Sequence, residues 1–159
     1  MNPTIKKALD RYTAGAPVLA RSIQGLTPAD LAAYPVPGTW SILQIVHHVL
    51  DSDLIASHRM KRIVAEDNPL LISYDETAFA KTLGYERMDV RLACDLFRLN
   101  RELTAQMLLA QPDEAFNRTG IHSQKGKISV LEIVSGYADH RDLHLKFLYD
   151  KRARLGKPV

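Results

Sequence analysis

Apolar residues recur along this chain at helical spacing in four long runs, and nowhere as a sustained alternation. The first run carries Ile5, Leu9, Tyr12, Val18, Leu19 and Ile23, with Pro3 in its opening turn. Pro17 has no N–H to donate and should interrupt it, and Gly25 ends it. Thr27-Pro28-Ala29-Asp30 has the signature of a short capped helix: a cap, a proline at the first position, an acid in the first turn. Tyr34-Pro35-Val36-Pro37-Gly38 is a rigid loop that delivers Thr39 and Trp40.

The second run follows the capping box Ser41-Ile42-Leu43-Gln44 and predicts a helix to about Glu66, with Ile42, Ile45, Val46, Val49, Leu50, Ile55, Met60 and Ile63 as its apolar members. Asp67-Asn68-Pro69 stops it. Residues 68–88 form a long connection with a short helix over Asp75–Leu83, broken by Gly84; a connection of that length suits a segment that covers a site. The third run spans Asp89 to Gln111 and counts Val90, Leu92, Phe97, Leu103, Met107 and Leu108 as apolar members. Asn117 to Ile128 is polar, contains Gly120 and Gly126, and has the look of a loop or hairpin in which His122 is exposed. A second capping box, Ser129-Val130-Leu131-Glu132, opens the last helix, which should reach about Arg152. Ser41–Val46 and Ser129–Val134 are alike in sequence, and Asp51 then falls in the register of Asp139, as if the two helices were counterparts facing one site. Four long helices and no credible strand predict an all-α chain, a four-helix bundle with short extra helices in its connections, in one domain over residues 1–159.

Composition adds little to that picture and removes several functions from it. The chain has 159 residues, 46% hydrophobic and 25% charged, with a net charge of +3. That charge is small for a nucleic-acid binder, and no basic face is interleaved with aromatics. The densest basic run, Lys151 to Lys157, follows the last helix, where cations suit the negative end of the helix dipole; it predicts a solvated tail. Cys94 is the only cysteine, set among Leu92, Leu96 and Phe97 as a packed thiol. No apolar run approaches ~18 residues and the first residues lack an apolar signal core, so a cytoplasmic protein without a membrane span is expected.

The candidate chemistry lies in the last helix. His140 and His144 are four apart, hence on one helical face, and they continue the stripe of Val130, Ile133, Tyr137 and Leu148. Imidazoles turned inward must be hydrogen-bonded or ligate something, because an unpaired buried polar group is costly. Two imidazoles hold a metal poorly, and a catalytic zinc-type site uses three protein ligands and an open position. His47, His48, His58 and His122, together with the aspartates, are the candidates for the third. The helical wheel aligns His48 with Ile45, Ser52 and Ile55, and His47 with Leu43, Leu50 and Leu54, so it leaves both open.

Three separated blocks carry a family resemblance. They are Pro37-Gly38-Thr39-Trp40-Ser41 through Asp51-Ser52, Glu66-Asp67-Asn68-Pro69 with Tyr74-Asp75-Glu76, and Gly126-Lys127-Ile128-Ser129 through Tyr137, His140 and His144. In these the chain resembles the DinB-like superfamily and, within it, the YfiT-type proteins assigned as metal-dependent hydrolases. The resemblance implies a four-helix bundle with a three-histidine metal site. The ligand eight residues after the tryptophan corresponds to His48, and the final pair to His140 and His144. It further implies a divalent ion, zinc or nickel, and a homodimer. Two positions depart from the pattern: similar proteins often have histidine where this chain has Leu143, and where it has Asp53.

Such a ligand set permits hydrolysis, through an acidified water, or transfer of a low-molecular-weight thiol, held as thiolate. The substrate is expected to be a small molecule. A metal that merely clamps helices, in a non-catalytic stress or interaction protein, is the third alternative. Asp51, three residues after His48, is the expected partner for the far nitrogen of a ligand ring. Tyr74, Asp75 and Glu76 are placed to line the mouth, Trp40 to anchor packing, and His58 to lie exposed beside Arg59.

Overall fold

Helix boundaries in the computed structural model, which describes residues Met1–Val159, follow the capping residues. Helix α1 (Pro3–Ala14) starts where the Asn2 side chain accepts from the Thr4 N–H at 2.8 Å. Helices α2 (Val18–Ser22) and α3 (Pro28–Ala32) are the short pieces on either side of Gly25. Both predicted capping boxes are formed. Ser41 accepts from the Gln44 N–H while Gln44 accepts from that of Ser41, opening α4 (Ile42–Ala65). Ser129 and Glu132 do the same for α7 (Val130–Arg154). Between them lie α5 (Glu76–Thr82), capped by Asp75, and α6 (Val90–Leu109), capped by Asp89. The bundle is α1, α4, α6 and α7, with α4 packed on both α6 and α7, and α1 on α7 and α6.

The expectation of no strands is corrected. A small sheet pairs β1 (Leu70–Leu71) in parallel with β2 (Thr119–His122), and β2 in antiparallel fashion with β3 (Gly126–Ser129). These strands are two to four residues long, too short to show an alternation. Gly120 lets the sheet lie close to the bundle: a Cβ there would stand 2.9 Å from the Pro69 carbonyl oxygen and 3.1 Å from Ile63. His122, expected to be exposed, is buried at the end of β2, because its register opposite Leu71 turns it inward.

Two apolar cores share the bundle. One joins Ile5, Leu9 and Tyr12 of α1 to Met60 and Ile63 of α4, Phe116, and Ile133 and Val134 of α7. The other joins Ile42, Val46 and Val49 of α4 to Ala93 and Phe97 of α6, and Leu145 and Leu148 of α7. Between them α4, α6 and α7 turn polar: His48, Ser52 and Asp53 on α4, Asn100 and Arg101 on α6, and Tyr137, His140 and His144 on α7. Within this polar belt Asp53 and Arg101 form an ion pair at 2.9 Å, each 1% exposed. Arg101 also donates to the carbonyls of Tyr12 and Tyr137, so this one pair touches all four long helices. Gly15 makes room for it, since a Cβ there would stand 2.6 Å from the Arg101 Nη1.

The basic run at the end of α7 is also corrected. Lys151 and Arg152 are buried. Lys151 donates to the Thr39 hydroxyl, and Arg152 to the carbonyls of Ser22 and Gln24, satisfying the loose end of α2. Cys94 is a buried free thiol whose pKa burial pushes up to about 12.

Candidate metal centre

Three imidazoles meet in the polar belt. The Nε2 of His48 on α4 lies 3.2 Å from that of His140 and 3.1 Å from that of His144, both on α7. The three ligand atoms all lie within 4.8 Å of one another. Nitrogens held ~2.0–2.1 Å from a tetrahedral ion stand ~3.3 Å apart, close to the two shorter separations. The donor set therefore fits a divalent cation: three neutral nitrogens, converging, with no carboxylate of the cluster already bound among them. The Nδ1 of His144 is buried without a partner.

Local sequence explains the arrangement. His140 and His144 stand one turn apart on α7 and project together. The first half of α4 is buried almost all round, so both His47 and His48 are inside. Burial could not have told them apart; their neighbours do. His48 faces α7, while His47 stacks on Tyr85 with ring centroids 5.2 Å apart and takes no part in the cluster. His58 is exposed as expected, although its neighbour Arg59 is buried.

The expectation for Asp51 is corrected. Its carboxylate accepts from the Tyr85 hydroxyl at 2.5 Å and forms no hydrogen bond with the three clustered rings. Asp51 is four residues from His47, and so shares that ring's side of α4. The acid nearest the cluster is Glu76, at the start of α5, with Oε2 3.7 Å from the His48 Nε2 and a half-exposed side chain. Within the 68–88 connection, Ser73, Tyr74, Asp75 and Glu76 line the cavity that reaches His140.

Trp40 does more than anchor packing. Its ring stacks on His144 at 6.2 Å and lies 4.7 Å from His48, walling one side of the cluster. Two cavities reach the cluster. A polar one of about 650 Å³ reaches His140 past Tyr74, Glu76 and Tyr137. Another, of about 530 Å³, reaches His144 past Trp40, Ile45 and Phe147.

Burial holds the three rings neutral. It pushes the His48 pKa down to about 3, helped by the two other rings, and that of His140 to about 4, helped by His144 and Arg101. Burial lowers His144 as well. The ordinary imidazole value is 6.5. Below it the unfolded chain binds protons that the folded, metal-free chain refuses. Stability is therefore undiminished above pH 6.5 and falls as pH drops from 6.5 toward 4. Chelator-treated protein should lose melting temperature between pH 6.5 and 5, above the range where most carboxylates titrate. A flat profile across that interval would show that the rings titrate as they do in water.

Comparison with known proteins gives the family and the fold. A family model described as the DinB superfamily matches residues 11–148. A protein of Oceanobacillus iheyensis is 29% identical over 108 residues, covering 68% of this chain and 62% of its own length. YfiT of Bacillus subtilis is 25% identical over 139 residues, covering 87% and 78%. Each carries the name "Putative metal-dependent hydrolase". The match thus spans only about three fifths of the first of these relatives. A solved structure of YfiT, described as a probable metal-dependent hydrolase with an unusual four-helix bundle topology, superposes with a TM-score of 0.90 at 22% identity, over 98% of this chain and 90% of that one. At that identity the likeness establishes the fold.

Proposed function

This chain belongs to the DinB superfamily, and from that premise we propose that it is a metal-dependent hydrolase whose divalent ion is held by His48, His140 and His144. The observation that carries this reading is the convergence of the three Nε2 atoms on one point of the polar belt. Zinc or nickel suits a set of neutral imidazoles. When bound, such an ion supplies Lewis acidity, which lowers the pKa of a water to about 7 or holds a thiol as thiolate.

The chain's own residues have distinct tasks in this reading. Glu76 takes up the proton of the nucleophile, its carboxylate standing 3.7 Å from the His48 Nε2 and open to the cavity. The Trp40 indole stacks beside His48 and His144 and gives an apolar wall to the cavity that reaches His144. Tyr74, hydrogen-bonded to the Ser52 hydroxyl at 2.5 Å with its pKa raised by burial to about 12, stays protonated as a donor on the cavity wall.

Transfer of a low-molecular-weight thiol is the second reading. What favours it is that two cavities of different character reach one cluster, giving a thiol and an electrophile separate approaches to it. Protein purified without a tag or chelator tests both. Elemental analysis should find one divalent ion per chain. Turnover of small esters or amides at neutral pH supports hydrolysis, and consumption of a thiol together with an electrophile supports transfer. A folded protein with neither metal nor turnover would end both.

The expected partner, besides a small substrate, is a second copy of the chain. Leu92 and Leu103, counted from the sequence among the apolar members of α6, are exposed, and so are Leu96 and Leu99. Spacings of four, three and four put these leucines on one stripe of α6, away from its buried face. The stripe is symmetric about its centre, so a two-fold axis there sets Leu92 against the partner's Leu103 and Leu96 against the partner's Leu99 in an antiparallel helix pair. Light scattering should give the mass of a dimer, and L96E combined with L99E that of a folded monomer. A monomeric wild type would remove this interface.

A further inference from the structure

The polar cavity beside His140 holds a charge that no carboxylate neutralises. Arg59, which lines it, is 7% exposed. Its Nη1 donates to the Tyr137 hydroxyl and its Nη2 to the Ile72 carbonyl, both uncharged, and its Nε has no partner. A buried cation without a counter-charge is costly to keep, so its retention calls for an anion that the chain does not itself supply.

Two further donors stand on the same wall. The Nδ1 of His122 accepts from the backbone N–H groups of Gln124 and Lys125, at 3.2 and 3.3 Å. A ring nitrogen that accepts carries its lone pair, which leaves the proton on Nε2 and makes neutral His122 a donor there. Burial holds the ring neutral, and Arg59 and Lys125 add to that, so both cations are within electrostatic reach of it. Lys125 lines the cavity with an exposed ammonium. Three carboxylates also line the cavity, and none forms an ion pair with Arg59. Asp75 caps α5 through the Ala78 N–H, Glu132 is held by Ser129, and Glu76 lies at the His48 end.

We propose that Arg59, His122 and Lys125 form an oxyanion subsite that binds a carboxylate or phosphate group of the substrate while its reacting bond lies against the three-histidine cluster. The substrate class is then an anionic small molecule, with the anion at one end of the cavity and the reactive group at the other. The second half of this assignment rests on the metal-centre reading; binding of the anion does not.

Calorimetric titration of the purified full chain with inorganic phosphate, and separately with succinate, tests it. The stronger binder identifies the kind of oxyanion. K125Q alters an exposed side chain, and H122N keeps an acceptor for the two backbone N–H groups while removing the Nε2 donor. Each should weaken binding about tenfold, the double variant more, with metal content unchanged. H144A should lose the metal yet bind phosphate within about twofold of wild type. The subsite is overturned if neither anion binds, if the double variant binds as wild type does, or if H144A loses phosphate binding together with the metal. That last result would put the anion on the ion itself. Failure of the metal reading looks different: a metal-free wild type that still binds the anion.

Discussion

His48→Ala should take the bound metal from one ion per chain to none. His48 is the common vertex of the cluster, its Nε2 within 3.2 Å of both other ligand nitrogens. Without it two imidazoles on one helix remain, and the loss should exceed the roughly 10–100-fold in affinity that removing an outer partner of a ligand costs. Stability should fall with it, because an ion present at ~1,000 times its Kd adds about 4 kcal/mol to the folded state. His47→Ala is the informative control. It deletes the adjacent buried ring, stacked on Tyr85, and should destabilise the fold while leaving metal content intact. If H47A loses the ion and H48A keeps it, the ligand set proposed here is wrong.

Asp53→Ala should cost about 3–5 kcal/mol, a large part of the stability of a domain this size. The substitution leaves the Arg101 guanidinium 1% exposed without its counter-charge, stacked on the rings of Tyr12 and Phe97 at 4.4 and 4.6 Å. Arg101 would also lose the carboxylate that fixes it while it holds the Tyr12 and Tyr137 carbonyls. Tyr137 is one turn before His140, so the damage should reach the metal centre as well as the fold. Urea unfolding of D53A and of the double variant D53L/R101M separates the causes. Removing both charges should recover much of the loss, since the cost comes from the stranded cation. A D53A midpoint equal to that of wild type would show that water reaches Arg101.

Where local rules governed, the sequence was legible. Ser41 with Gln44 and Ser129 with Glu132 fixed the starts of α4 and α7 because a capping box is satisfied within one turn. The pairing of His140 with His144 followed from helical spacing alone. What depended on neighbours was hidden. His47 and His48 are both buried, and only the positions of Tyr85 and α7 separate their roles. Asp51 turns to Tyr85, which lies 34 residues further along the chain. The burial of His122 follows from a strand register with Leu71 that two- and four-residue strands cannot announce. Leu92 and Leu103 have the periodicity of core residues but face outward, since periodicity locates a stripe without saying what covers it.

The parallel pairing of Leu70 with Ile121 and Leu71 with His122 has a kinetic consequence. It joins segments some fifty positions apart, with α5 and the whole of α6 looped out between them. Loop-closure entropy makes such long-range contacts late, whereas helices form from nearby residues. Ser73 to Glu76, with His122, Gln124 and Lys125, wall the polar cavity and should therefore come together only after the bundle has collapsed. A refolding chain should regain its circular dichroism before it regains the ability to bind an anion.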